Sequence, residues 1–234
     1  MGINKKIFFQ NWGIKSYKTA WKKQESLLNS IIKIKKLNRL QNRIINTPNY
    51  LIFLEHYPVY SIGKSGNQNN LLIDKSILRN KKIDYIKSNR GGDITFHGPG
   101  QLVVYPILDL DNFFTDIHKY LRTLEDVVIR TLLDFDIVGE RSSGETGVWL
   151  DSETPYARKI CAMGIRASRW VTMHGFALNI NIDLDYFQNI IPCGIEGKSV
   201  TSMEKELGER ISVDEVGLRI KYHFQKKFKA ELII

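Results

Sequence analysis

RGGDITFHGPGQLVVYP runs from Arg90 to Pro106, and its first twelve residues hold four glycines, a proline, a histidine, an arginine and an aspartate. LVVYPILDL, from Leu102 to Leu110, reads as a buried strand. Ordered glycine costs conformational entropy. Four of them at the mouth of a strand therefore mark either a plain loop or a place where backbone approaches a ligand. Gly91 and Gly92 let the chain hug a ligand, and their successive N–H groups can form an anion nest. His97 to Gly100 makes a second tight corner. The stretch is not a Walker A loop and lacks GxGxxG. Arg90-Gly-Gly occurs once, between two strands, whereas RNA-binding RGG elements come as repeats in disordered tracts.

Outward from this stretch, strands and helices alternate irregularly. Ile7–Gly13 reads as an opening strand. Tyr17 to Ile45 carries apolar residues at helical spacing, closed by Pro48. Tyr50–His56 is a short apolar run that suits a central strand. Ser61 to Asn70 reads as a loop, Ile83–Ser88 as a strand and His118–Leu133 as a helix. Gly147–Leu150, Lys159–Arg166 and Gly175–Ile182 read as strands, the last two joined through ASRWVTMH. Ser212 to Phe228 opens on a capping-box pattern, with Ser212 three residues before Glu215. The mixture predicts an α+β layered domain, not a doubly wound one. No repeat or domain-scale linker divides residues 1–234, although the Pro192-Cys193-Gly194 turn leaves room for a small subdomain after it.

A chain of 234 residues with 43% hydrophobic and 25% charged residues fits a soluble globular domain. No apolar run approaches the ~18 residues needed to span a bilayer. The start lacks the apolar core of a signal peptide. The expected location is cytoplasmic. The net charge of +9 fits a nucleic-acid binder, a compositional bias towards Lys, Ile and Asn, or attraction to an acidic protein partner. Composition does not choose among the three.

The two cysteines, Cys161 and Cys193, make neither a zinc site nor a disulfide framework. Cys161 lies inside the apolar run KICAMGI and reads as a small buried hydrophobe. Cys193 lies on a Pro-Cys-Gly turn, where a nucleophile is well presented and backbone N–H groups can bind an oxyanion. A structural turn with an incidental thiol is the competing reading. A nucleophilic thiol needs activation. His97, His174 and a desolvated Lys159 are the candidate partners. Lys159 at the entry of a buried strand is otherwise a snorkelling surface residue.

Four stretches taken in order are far more specific: RGGDITFHGPGQLVVYP, ARKICAMGIR (157–166), HGFALNIN (174–181) and IPCGI (191–195). With EHYPVYSIGKSG from Glu55, they resemble the octanoyltransferases of protein lipoylation. The resemblance covers most of the chain, and Lys159 and Cys193 stand 34 positions apart, as it leads one to expect. It implies an α+β fold like that of the biotin/lipoate protein ligases, a class II synthetase-like mixed sheet flanked by helices, with 1–234 as one catalytic domain. It implies a Cys/Lys acyltransferase with no cofactor and no metal. Octanoyl-acyl carrier protein would be the donor. Lipoyl domains of 2-oxoacid dehydrogenases and the glycine-cleavage H protein would be the acceptors, with no nucleic acid or membrane partner. Cys193 would carry the acyl group and Lys159 would act as base. Arg90, Gly91, Gly92, Asp93, Ile94, Thr95, Phe96 and His97 would line the acyl pocket. Ala162, Met163, Gly164, Gly175, Phe176 and Ala177 would line it from the other strands.

Two alternatives stand beside this reading. An ATP-dependent ligase of the same fold would use Lys159 on an acyl-adenylate and have no use for Cys193. A basic RNA-binding module would explain the charge but not the Lys/Cys pair, and no aromatic-rich sheet motif is present.

Overall fold

The central strands form because their alternate residues face two different apolar layers. In the computed structural model, which describes residues 3–42, 44–192 and 199–233, β2 (Tyr50–His56) and β6 (Gln101–Ile107) are antiparallel neighbours. Leu51, Phe53, Leu102 and Val104 point to one face, where they meet Leu124 and Val128 of α3 (Ile117–Leu133) and Val216, Ile220 and Phe224 of α5 (Val213–Phe228). Ile52, Leu54, Val103 and Tyr105 point to the other, against Ala20, Leu28 and Ile31 of α1 (Tyr17–Gln41). Helices therefore cover both faces of one mixed sheet.

That sheet has eight strands in the order β10-β8-β9-β6-β2-β1-β11, with β7 paired to β8 off this path. The remaining members are β1 (Lys6–Lys15), β7 (Val148–Leu150), β8 (Arg158–Ser168), β9 (Val171–Asn179), β10 (Ser199–Val200) and β11 (Glu231–Ile233). A second sheet, β4-β3-β5, is built from β3 (Val59–Ile62), β4 (Asp84–Lys87) and β5 (Thr95–His97). It packs Tyr60, Ile62, Ile94 and Phe96 with Leu78 of the short helix α2 (Lys75–Asn80). The last short helix, α4, spans Met203–Leu207.

Several boundaries differ from the sequence reading. Helix α1 stops at Gln41 instead of Ile45. Asn42 closes it in the left-handed region at φ 47°, and the Asn38 amide bonds both the N–H and the C=O of Ile45, turning the chain back. The stretch read as a loop from Ser61 contributes Ser61 and Ile62 to β3. ASRWVTMH holds a tight hairpin turn, with Arg169 and Trp170 both at positive φ, so β8 and β9 run longer than expected. The described residues from Ser199 on pack on the main domain: β10 pairs with β8, β11 pairs with β1, and α5 lies on α3. Ser212 caps α5 by accepting from the Glu215 N–H at 3.3 Å.

One irregularity shapes the site. β6 and β9 stay in register from Gln101↔Asn179 to Val104↔Phe176. At Gly175 a side chain would sit 2.2 Å from the Val104 carbonyl, so only glycine fits. The next residue back, His174, takes φ 59°, an uncommon conformation for a non-glycine residue.

Candidate active site

A cavity of about 290 Å³ opens where the two sheets meet. Its walls come from Tyr17 of α1, the 90–93 loop, Thr95 and His97 of β5, Val103 and Tyr105 of β6, and the facing runs of β8 and β9. Leu121 of α3 and the 144–146 loop complete it.

Of the residues expected to line an acyl pocket, Arg90, Gly91, Gly92, Asp93, Thr95, His97, Ala162, Met163, Gly164, Gly175, Phe176 and Ala177 surround this one cavity, and Lys159 lies on the same wall. Ile94 and Phe96 do not. The strand alternates, so Thr95 and His97 face the cavity while Ile94 and Phe96 enter the core of the small sheet. Phe96 stacks on Tyr186 at 4.3 Å between ring centroids. Cys193 lies outside the described residues.

The glycine-rich loop is held by Arg90, which is itself buried. Its Nη2 donates to the Ser61 carbonyl at 2.6 Å and to the Asp93 carbonyl at 2.8 Å, and its Nη1 to the Gly91 carbonyl at 2.9 Å. Asp93 accepts from the Ile94 and Asn67 N–H groups and from the Asn70 amide. Arg90 is therefore a staple for backbone carbonyls, and Gly92, at φ 83°, supplies the left-handed residue that the wrap requires.

Behind the loop lies a buried cluster of rings from Tyr17, His56, His97, Tyr105 and His174, with Trp21 at its edge. The partners fix the tautomers. Gln101 uses its Nε2 to donate to the Phe96 carbonyl and to Asn179 Oδ1, so its Oε1 accepts from His97 Nδ1 at 2.7 Å. His97 Nε2 is left to accept from Ser61 Oγ at 3.1 Å. His56 donates from Nδ1 to the Lys15 carbonyl and accepts from the Tyr105 hydroxyl at 2.7 Å. His174 donates from Nε2 to Asn89 Oδ1 at 2.7 Å. Burial pushes all three imidazoles down: His56 to about 4, His174 to about 3 with help from the charges of Arg90 and Arg166, and His97 well below the usual range. The three imidazoles are neutral at pH 7. His97, with both ring nitrogens engaged, is poorly suited to take a proton from a thiol.

The other end of the cavity is built around Lys159. β7 pairs with β8 so that Trp149 stands opposite Lys159. The Lys159 Nζ lies 4.5 Å from the centroid of the Trp149 ring. Glu125 of α3 is fully buried and accepts from Arg122 at 2.8 Å, Arg141 at 3.0 Å and the Gly147 N–H at 3.1 Å. Cys161 is buried in the core beside Val148 and Leu178. Burial and the neighbouring Glu125 carboxylate drive its thiol far up, which disfavours the thiolate. The sequence expectation of a buried, unreactive Cys161 agrees with this environment. No cluster of metal-ligating side chains occurs among the described residues, and no helix is long and apolar enough to cross a membrane.

Sequence reasoning missed Tyr17, Val103, Tyr105, Leu121, Ile165 and the 144–146 loop, and it treated His174 only as a partner for a thiol. Val103 and Tyr105 were within reach of a period-two reading of LVVYP. Tyr17 and Leu121 come from helices remote in the chain, and nothing local marks them.

Residues 16–225 match the lipoyl protein ligase A/B catalytic domain family. An octanoyltransferase of Christiangramia forsetii is 59% identical over 231 residues, covering 98% of this chain and 99% of that protein. One from Flavobacterium psychrophilum is 57% identical over 232 residues, covering 99% and 100%. A bipartite lipoate protein ligase from Thermoplasma acidophilum superposes with a TM-score of 0.68 at 15% identity, over 98% of this chain and 88% of that one, and so shares the fold. The fold is thus the ligase-like mixed sheet flanked by helices, and the chain belongs to the lipoyl protein ligase A/B catalytic domain family and, within it, to the octanoyltransferases, the acyltransferases of protein lipoylation.

Proposed function

We propose that residues 1–234 act as one cytoplasmic catalytic domain that takes an octanoyl group from octanoyl-acyl carrier protein, holds it on Cys193 and passes it to a lysine of a lipoyl domain. The acceptors are lipoyl domains of 2-oxoacid dehydrogenases and the glycine-cleavage H protein. The observation that carries this reading is Lys159, a buried lysine on the wall of a cavity of acyl dimensions. Burying the tail of an octanoyl group there gains roughly 5–6 kcal/mol at about 0.8 kcal/mol per methylene.

Cys193 attacks the thioester carbonyl as a thiolate, and the carrier thiolate leaves with a proton from Lys159. The acceptor amine then attacks the acyl-cysteine, Lys159 takes the amine proton, and Cys193 departs as thiolate. Thioester exchange is nearly isoenergetic and amide formation from a thioester is downhill, so the cycle needs no nucleotide. Support for bringing Cys193 to Lys159 comes from the flanks: β10 begins at Ser199 and pairs with Arg158 and Lys159, and the Thr201 N–H donates to the Lys159 carbonyl at 3.0 Å. The +9 charge suits acidic partners through electrostatic steering.

The test is transfer of octanoate from its acyl carrier protein thioester to a purified lipoyl domain without ATP, for wild type and Cys193→Ser. Transfer by the wild type alone is the expected result. Transfer only from free octanoate with ATP would make the chain a ligase and Cys193 incidental.

A further inference from the structure

We infer that Trp149 is a positioning residue for the reaction: the face of its indole holds the Lys159 ammonium in the cavity wall. The inference rests on the Lys159–Cys193 reading above. Trp149 is among the largest fully buried side chains, at 1% exposure. Its backbone is clamped on both sides. It exchanges hydrogen bonds of 2.9 Å with Glu140 in both directions, and it stands opposite Lys159 across the β7–β8 pair. The backbone that carries the ring is thus held by the Glu140 bridge as well as by β8. Its centroid lies 4.5 Å from Nζ, within the range where the negative face of an indole attracts a cation, and tryptophan is the strongest of the three aromatic partners.

Gly147 leaves room beside the lysine stem. It sits at φ 120°, and a side chain there would meet Lys159 Cε at 3.6 Å and the Cys161 carbonyl at 2.5 Å. Its N–H is tied to Glu125. Among the described residues, the charged and titratable groups around Lys159 include Glu125, which Arg122 and Arg141 already pair, Cys161 on its own strand, and Glu145, Arg90, Asp93, His97 and His174 around the cavity. A cation–π contact acts on the ammonium without adding a carboxylate that would compete with the thiolate for it. It fixes the position of the lysine head at the cavity wall.

The experiment replaces tryptophan with a fluorinated tryptophan throughout the chain, which weakens the ring quadrupole and leaves its shape almost unchanged, in wild type and in Trp149→Phe. Alkylation of Cys193 is followed by peptide mass spectrometry, and kcat and KM for octanoyl-acyl carrier protein are measured alongside. Fluorination should slow alkylation and lower kcat about tenfold in wild type, with KM nearly constant, and should change Trp149→Phe much less. Trp149→Leu should fall below Trp149→Phe in both measures. Equal effects of fluorination in the two backgrounds, or none in wild type, would overturn the inference. Lys159→Ala is measured in parallel: if it turns over normally, the inference falls together with the dyad; if it is slow while fluorination changes nothing, the inference alone falls.

Discussion

The two ends of the cavity are both buried and are built from different groups: imidazole rings at one, a lysine beside a paired carboxylate and an indole at the other. At the His56–His97–His174 end, burial, joined at His97 and His174 by the Arg90 charge, favours the neutral imidazoles, and hydrogen bonds to Lys15, Tyr105, Gln101, Ser61 and Asn89 fix their tautomers. At the Lys159 end, Glu125 is matched by two arginines and the lysine Nζ lies over an indole face. Desolvation alone removes charge. Keeping one in a closed site requires a built partner.

The sharpest way to break this contrast is Lys159→Ala. Transfer should fall by about 10²–10⁴-fold, the usual worth of a positioned acid–base group, while the thermal midpoint stays near that of wild type. A large stability loss with little kinetic effect would reverse the roles of the two ends. Next is Glu125→Ala, which strips two arginines and the Gly147 N–H of their shared acceptor. It should cost about 2–3 kcal/mol of stability in denaturant titration, and Glu125→Gln, which still accepts from Gly147, should cost less.

Acid sharpens the contrast from the neutral end. The folded imidazoles stay neutral while the unfolded chain takes protons below about pH 6.5. The unfolded state then binds more protons, so stability falls as pH falls from about 6.5 towards the depressed folded values, about 4 for His56 and about 3 for His174. Each histidine removes roughly 1.4 kcal/mol per pH unit in that window. Unfolding free energies at pH 7, 6 and 5 read this directly, and a flat profile would mean that the cluster is solvated. The smallest effect is expected for His97→Gln, which can keep partners in Ser61 and Gln101: KM for the acyl donor should rise a few-fold, with kcat and its pH profile unchanged. Loss of one limb of that profile would give His97 a proton-transfer role.

The sequence made the glycine stretch, the β8–β9 runs and the capped α5 legible because their signals are local: turn residues, apolar alternation and a Ser three residues before a Glu. Twelve of the fourteen expected lining residues surround the cavity; Ile94 and Phe96 fail because a contiguous motif was read without the alternation of a strand. The second sheet escaped notice because β3 begins at Val59 and enters a stretch rich in Gly, Asn and Ser. Tyr17, His56 and Trp149 reach the site only through long-range packing. Trp149 in particular looks like an ordinary core residue until its cross-strand partner is known.

The central claim is that Cys193, activated by Lys159, carries the acyl group. The most direct measurement is intact-protein mass spectrometry after mixing with octanoyl-acyl carrier protein in the absence of ATP, followed by peptide mapping and addition of a lipoyl domain. The account predicts one octanoyl adduct on Cys193, released by neutral hydroxylamine and transferred to the lipoyl domain, and none on Cys161. An adduct on Cys161, or modification of the lipoyl domain with no adduct on the enzyme under single-turnover conditions, would contradict it.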